Sequence, residues 1–240
     1  MEVTRDVFRY KAPGSDHLLL DDIKDEARAK GTGKWTSQVA MDLQAPIPTV
    51  DSSVSMRDLS KYKALRVKAE GIYGGVEAQL NVDKAAFLKS LEDAFYFNMI
   101  ISYAQGIHML TRASADFNYG LNLAEIAKIW RGGCIIRSLF LNDIYKAFSA
   151  NDQLEHLLLD NGVANEVKGV VGGARTVVAA VTAAGIAAPC YASALSYFDA
   201  FRSGRMPSNL IQAQRDYFGA HTYELIGKEG TFHTQWVPKN

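Results

Sequence analysis

The chain has 240 residues, 48% of them apolar, enough to bury a sizeable core as one large domain or two small ones. Its 26 Lys and Arg balance 26 Asp and Glu, so the formal net charge is zero. That balance leaves no basic excess to drive nonspecific association with nucleic acid or an anionic membrane, and neither is an expected partner; a small basic pocket for a phosphorylated metabolite is compatible with it.

At the amino terminus Met1 is followed by Glu2, Arg5 and Asp6 rather than a basic and then apolar run, so no secretory signal is expected. Val3, Val7 and Tyr10 are helically spaced without a leading N-cap, and Val3–Phe8 faintly echoes Leu139–Tyr145. If that echo is real, the chain begins in the last helix of a repeat whose earlier part is missing. Asp21, Asp22, Asp25 and Glu26 read most simply as a solvated helix face. Gly31, Gly33 and Pro46-Ile47-Pro48 punctuate the next stretch, and Thr36–Leu43 and Val50–Tyr62 read as amphipathic helices.

From Lys84 to Leu110 apolar residues recur at helical spacing on most of the circumference, which predicts a long central helix packed on several sides. His108 falls inside it and reads as a packing residue. Asn122 is an expected N-cap with Glu125 as its capping-box partner, opening a helix over Leu123–Trp130. Further helices are expected over Cys134–Phe148, briefly over Leu154–Leu159, and over Ala164–Ala184, where Gly169, Gly172 and Gly173 suggest close helix-to-helix approach. Val177–Ala188 is the most apolar stretch and is too short and small-residue-rich to span a bilayer. Cys134 and Cys190 lack CxxC spacing and are expected as buried thiols in a reducing compartment, neither disulfide nor metal ligands. Pro189 opens a helix through Phe201, Gly204 suits a C-cap with Pro207 beyond it, and Asn209–Tyr217 forms another helix. From Gly219 to Asn240 the pattern fades into an extended tail. With no alternating strands and no βαβ unit, the expectation is an all-α, bundle-like domain with no room for an ordinary dinucleotide-binding fold.

Three places carry chemistry. In Ala29-Lys30-Gly31-Thr32-Gly33-Lys34-Trp35-Thr36, two glycines allow close backbone approach, two lysines add charge, and the following helix can present free N–H groups to an anion. The bland alternative is a glycine turn with two solvated lysines. Arg57 is either a ligand-facing cation or an exposed helix arginine paired with Asp58 or Asp51. In Gln214–Glu224, Arg215 and His221 suit a phosphate or carboxylate, against a capping arginine and a backbone-satisfied histidine. His17, His156 and His233 have no second ligand at metal spacing, so no metal is expected, and no Ser-His-Asp spacing or paired buried carboxylates stand out.

Lys30–Thr36 resembles the KGTGxWT signature of the 6-phosphogluconate dehydrogenases, with Ala29 where the family usually has a polar residue. Tyr103-Ala104-Gln105-Gly106, Trp130–Ser138, Arg215–Glu224 and Phe232–Trp236 resemble the same family's later motifs. This resemblance implies that residues 1–240 form the all-helical substrate-binding and dimerisation domain of an NADP-dependent, cytoplasmic enzyme. Such an enzyme oxidises 6-phosphogluconate and decarboxylates the 3-keto intermediate to ribulose 5-phosphate in the pentose phosphate pathway. It further implies that Lys30 and Arg57 bind substrate together with Arg215 and His221 from the tail of the partner in a homodimer. No catalytic residue is expected in this chain and no cofactor-binding residue is assigned. The NADP-binding domain and the helix with the catalytic lysine are expected to lie elsewhere, leaving this chain inactive alone. A second reading is a non-catalytic helical dimerisation or phosphate-binding module.

Overall fold

The computed structural model describes residues 2–76 and 79–236. Its elements begin with α1 (Glu2–Val7), α2 (Leu19–Asp22), α3 (Thr32–Asp42), α4 (Pro48–Ser60), α5 (Lys63–Tyr73) and α6 (Lys84–Asp116). There follow α7 (Leu123–Trp130), α8 (Leu141–Ala150), a 3-10 turn (Leu157–Leu159), α9 (Asn161–Ala183), α10 (Pro189–Phe201) and α11 (Ser208–Gly219). The chain then forms an antiparallel hairpin of β1 (Tyr223–Leu225) and β2 (Lys228–Phe232). It divides into two compact units, one through Leu195 and one from Ser196 onward.

In the first unit α6 is the organising element. Asp83 opens it by accepting the Ala86 amide at 2.8 Å, satisfying one of the donors a helix start leaves free. Phe97, Ile100, Ile101, Ala104 and Ile107 are buried along it, as the all-round apolar pattern requires. Gly106 does not interrupt it, and the helix continues past Leu110 to Asp116. Opposite, α9 starts at Asp160, which accepts the Val163 amide at 2.9 Å. The two helices touch at Gly173, where an added β-carbon would lie 2.5 Å from Asp93 Cβ and 2.9 Å from the Ser90 carbonyl oxygen. The expected close approach is therefore real and localised. Tyr96 donates its hydroxyl to Glu166 across the same seam.

Several local expectations are revised. Asn122 does cap α7, accepting the Glu125 amide at 3.0 Å, but the Glu125 carboxylate faces Lys128. The helix expected from Cys134 starts only at Leu141, because Gly133 adopts a φ of 89° and ends the preceding turn. Ile135 is consequently 98% exposed despite its helical spacing. Both cysteines are free but only partly buried. The acidic cluster is no single helix face: Asp22 pairs with His17, Glu26 with Lys24, and Asp25 with Lys63 and Arg66. In the second unit the hairpin replaces part of the expected extended tail, whose last residues, 237–240, lie outside the described residues.

Candidate functional site

Helix α3 begins where Gly31 takes a φ of 104°, a left-handed conformation that folds the chain under the Trp35 ring. The N-cap, Gly31, has no side chain to cap this start, and the first-turn N–H groups lie at the positive end of the helix dipole. Lys30 and Lys34 flank the turn and are exposed.

Arg57 comes to this turn from α4. A β-carbon on Gly33 would lie 2.6 Å from Arg57 Nη2 and 2.9 Å from Val54 Cγ2, so glycine is what lets the guanidinium rest on the α3 backbone. Among the described residues neither Asp58 nor Asp51 makes an ion pair with it. Asp58 pairs with Lys61 at 2.5 Å, and Asp51 accepts from Ser37 Oγ at 2.7 Å. Arg57 Nε is buried without a hydrogen-bond partner. The Asp58 carboxyl is held below its usual range chiefly by Lys61, with Arg57 adding a smaller through-space pull. The result is one cation packed onto a helix start, with Lys30 entering the same turn.

What holds α4 in place is Gln105 of α6, which is fully buried. Its Oε1 accepts the Thr49 amide at 3.1 Å and its Nε2 donates to Thr49 Oγ1 at 2.9 Å. The polar residue inside Tyr103-Ala104-Gln105-Gly106 therefore ties the Arg57 helix to the core.

Arg215 and His221 lie in the second unit. Arg215 is exposed and donates to Gln212 Oε1 at 3.3 Å. His221, also exposed, stands between Ala220 and Thr222, both at positive φ (51° and 61°). A β-branched residue in that conformation needs outside support. Here Thr222 N–H donates to Asp216 at 2.9 Å and the Thr222 carbonyl accepts from Gln212 Nε2 at 2.6 Å.

Asp216 is the residue sequence reasoning passed over. It is 0% exposed and accepts from Thr222 N, His233 Nδ1, Thr234 N and Trp236 Nε1, all within 3.0 Å. Burial alone would raise its pKa, but the four donors outweigh burial and hold the carboxyl well below its usual range. It pins the segment after the hairpin to α11. Its donors are spread from Thr222 to Trp236, so no local spacing could have announced it.

Among the described residues no group of three or more His, Cys, Asp or Glu is arranged to hold a metal ion. Among the described residues the sheet is a two-stranded antiparallel hairpin, unlike the parallel sheet of an ordinary dinucleotide-binding fold.

The class so defined is a helical domain with an arginine packed on the start of one helix and a short hairpin after the last helix. Residues 1–236 match the family described as 6-phosphogluconate dehydrogenase, C-terminal domain, and the chain belongs to that family. It is 44% identical over 238 residues to the NADP(+)-dependent, decarboxylating 6-phosphogluconate dehydrogenase of Bacillus subtilis (strain 168), covering 99% of this chain and 51% of that protein. With the decarboxylating enzyme of Escherichia coli (strain K12) the identity is 45% over 237 residues, covering 99% and 50%. A Plasmodium falciparum 6-phosphogluconate dehydrogenase, studied apo, with NADP+ and with 6-phosphogluconate, superimposes with a TM-score of 0.94 at 41% identity, covering 98% and 51%. The chain thus spans about half the length of the relatives it matches.

Proposed function

We propose that residues 1–240 serve as the substrate-binding and dimerisation domain of an NADP-dependent, decarboxylating 6-phosphogluconate dehydrogenase. In that role Lys30, Arg57 and the start of α3 receive the phosphate group of 6-phosphogluconate. The observation that carries this reading is the Arg57 guanidinium, in no ion pair among the described residues, seated on Gly33 at a helix start whose N-cap is glycine. A phosphate dianion is matched by a fixed guanidinium, a mobile ammonium and backbone N–H donors acting together. Oxidation of the substrate by NADP and its decarboxylation to ribulose 5-phosphate, in the cytoplasm, would use groups that this chain does not contribute. The chain alone therefore generates no NADPH.

Arg215 and His221 complete the site from the tail of a second copy. Supporting this are the relatives' resemblance over this stretch and large apolar residues left exposed around it, Phe218 at 84% and Ile226 at 90%. An obligate twofold dimer follows, with an interface above about 2,000 Å². Isothermal titration tests the ligand: 6-phosphogluconate binds and gluconate, lacking the phosphate, does not. Equal binding of the two sinks the phosphate reading, and a monomer by light scattering at micromolar concentration sinks the shared site.

A further inference from the structure

Arg66, near the start of α5, joins two segments that approach the site from different directions. Its Nη1 donates to Asp25 Oδ2 at 2.8 Å, and its Nη2 donates at 3.1 Å both to the Asp25 carbonyl oxygen and to the Ser60 carbonyl oxygen. Ser60, the last residue of α4, extends the connection. Its Oγ donates to the Arg57 carbonyl oxygen at 2.7 Å and accepts the Ala27 amide at 2.9 Å. Lys63 adds an ion pair to Asp25 Oδ1 at 2.9 Å.

Energy alone does not account for this arrangement. Asp25 and Lys63 keep about half their side-chain exposure (53% and 41%), and pairs so open to water contribute little stability. What a planar fork with three acceptors on two chain segments supplies is geometry. Two of the three acceptors of Arg66 are main-chain carbonyls, those of Asp25 and Ser60, and the Ser60 hydroxyl carries the connection on to the Arg57 carbonyl and the Ala27 amide. Fixing these atoms fixes the path of the chain that leads from Ala27 into Lys30 relative to the end of α4 that bears Arg57. Arg66 also sits where the carbonyls of α4 leave unpaired acceptors, the favoured place for a cation on a helix end.

We propose that Arg66 is a positioning residue for the anion site. It holds the segment delivering Lys30 against the end of α4 and so sets the spacing of the two cations. Arg66 itself touches no ligand. The inference rests on the functional reading above, and its test separates the two.

The test is a double-mutant cycle on the full chain, with 6-phosphogluconate titrated against the amide signals of residues 31–34. Arg66→Gln weakens binding roughly tenfold in the wild-type background, and less than about twofold when Lys30→Ala has already removed the group it positions. Arg66→Lys restores only part of the loss, since an ammonium cannot span three acceptors in a fixed fork. A merely structural role would lower affinity by one factor in both backgrounds, in step with the melting temperature, and that result overturns the proposal. Amide exchange at Ala27, measured without ligand, is the second readout. Arg66→Gln accelerates it if the clasp is as described, and unchanged protection overturns the clasp. Should the wild type fail to bind 6-phosphogluconate at all, the functional reading falls, and Ala27 exchange alone decides whether Arg66 sets the chain path.

Discussion

The guanidinium of Arg57 lies so close over Gly33 that a β-carbon there would come within 2.6 Å of Nη2. Gly33→Ala must therefore push the arginine off the turn without removing any charge. Since a charge-assisted hydrogen bond contributes about 1.5–3 kcal/mol, displacing it weakens 6-phosphogluconate binding on the order of tenfold or more. Gly71→Ala, in α5, has nothing within 4 Å of the added β-carbon and serves as the control. Titration calorimetry on the two variants makes the comparison.

The contact between α6 and α9 gives a paired stability prediction. Gly173→Ala drives a methyl into Asp93 and the Ser90 carbonyl, and overpacking of this kind costs about 1–3 kcal/mol. Gly172 has nothing within 4 Å of its virtual β-carbon, so Gly172→Ala gains helix propensity, about 0.5–1 kcal/mol. Chemical denaturation should move the two midpoints in opposite directions.

His156 shapes the acid limb of stability. Its pKa is lowered from 6.5 to about 4, first by burial and then by the neighbouring imidazole of His108, whose ring centroid is 5.0 Å away. Between those pH values the unfolded chain binds a proton that the folded chain refuses. The stability from this group is therefore complete above about pH 6.5 and lost as pH falls toward 4, by about 3 kcal/mol in all. His156→Asn, which keeps an acceptor for the Leu158 amide, flattens that limb in denaturation measured across the window.

Asp216 holds its segment through a carboxylate, so its effect runs with protonation. Its depressed pKa means the stabilisation is fully present above the ordinary aspartate value near about 4 and is lost as pH falls below it. Asp216→Asn places an amide donor where two donors already point, and protection of the Thr222 and Thr234 amides drops about tenfold or more. Hydrogen exchange by NMR reads this directly.

Which features were legible in the sequence follows from how local their causes are. The long helix and the Asn122 and Pro189 starts depend on neighbours within a turn or two, and spacing reveals them. Ile135 and Leu139 have the same spacing, yet both stand exposed in an irregular loop of this chain, because Gly133 breaks the helix before them. The hairpin was hidden by short strands bearing Glu224, Lys228 and Glu229 rather than an alternating apolar pattern. Lys30 and Arg57 were each visible as candidates, but that Gly33 is the seat of the guanidinium is a tertiary fact. Asp216 and Arg66 act through partners far along the chain, and nothing in their immediate sequence marks them.

The most direct test of the central claim is an amide chemical-shift titration of the chain with 6-phosphogluconate. The Thr32, Gly33 and Lys34 signals should move along one saturable isotherm, and Arg57→Ala should weaken that isotherm about tenfold to a hundredfold. Signals of the α3 start that stay still, or an Arg57→Ala isotherm superimposable on the wild type, would contradict the account.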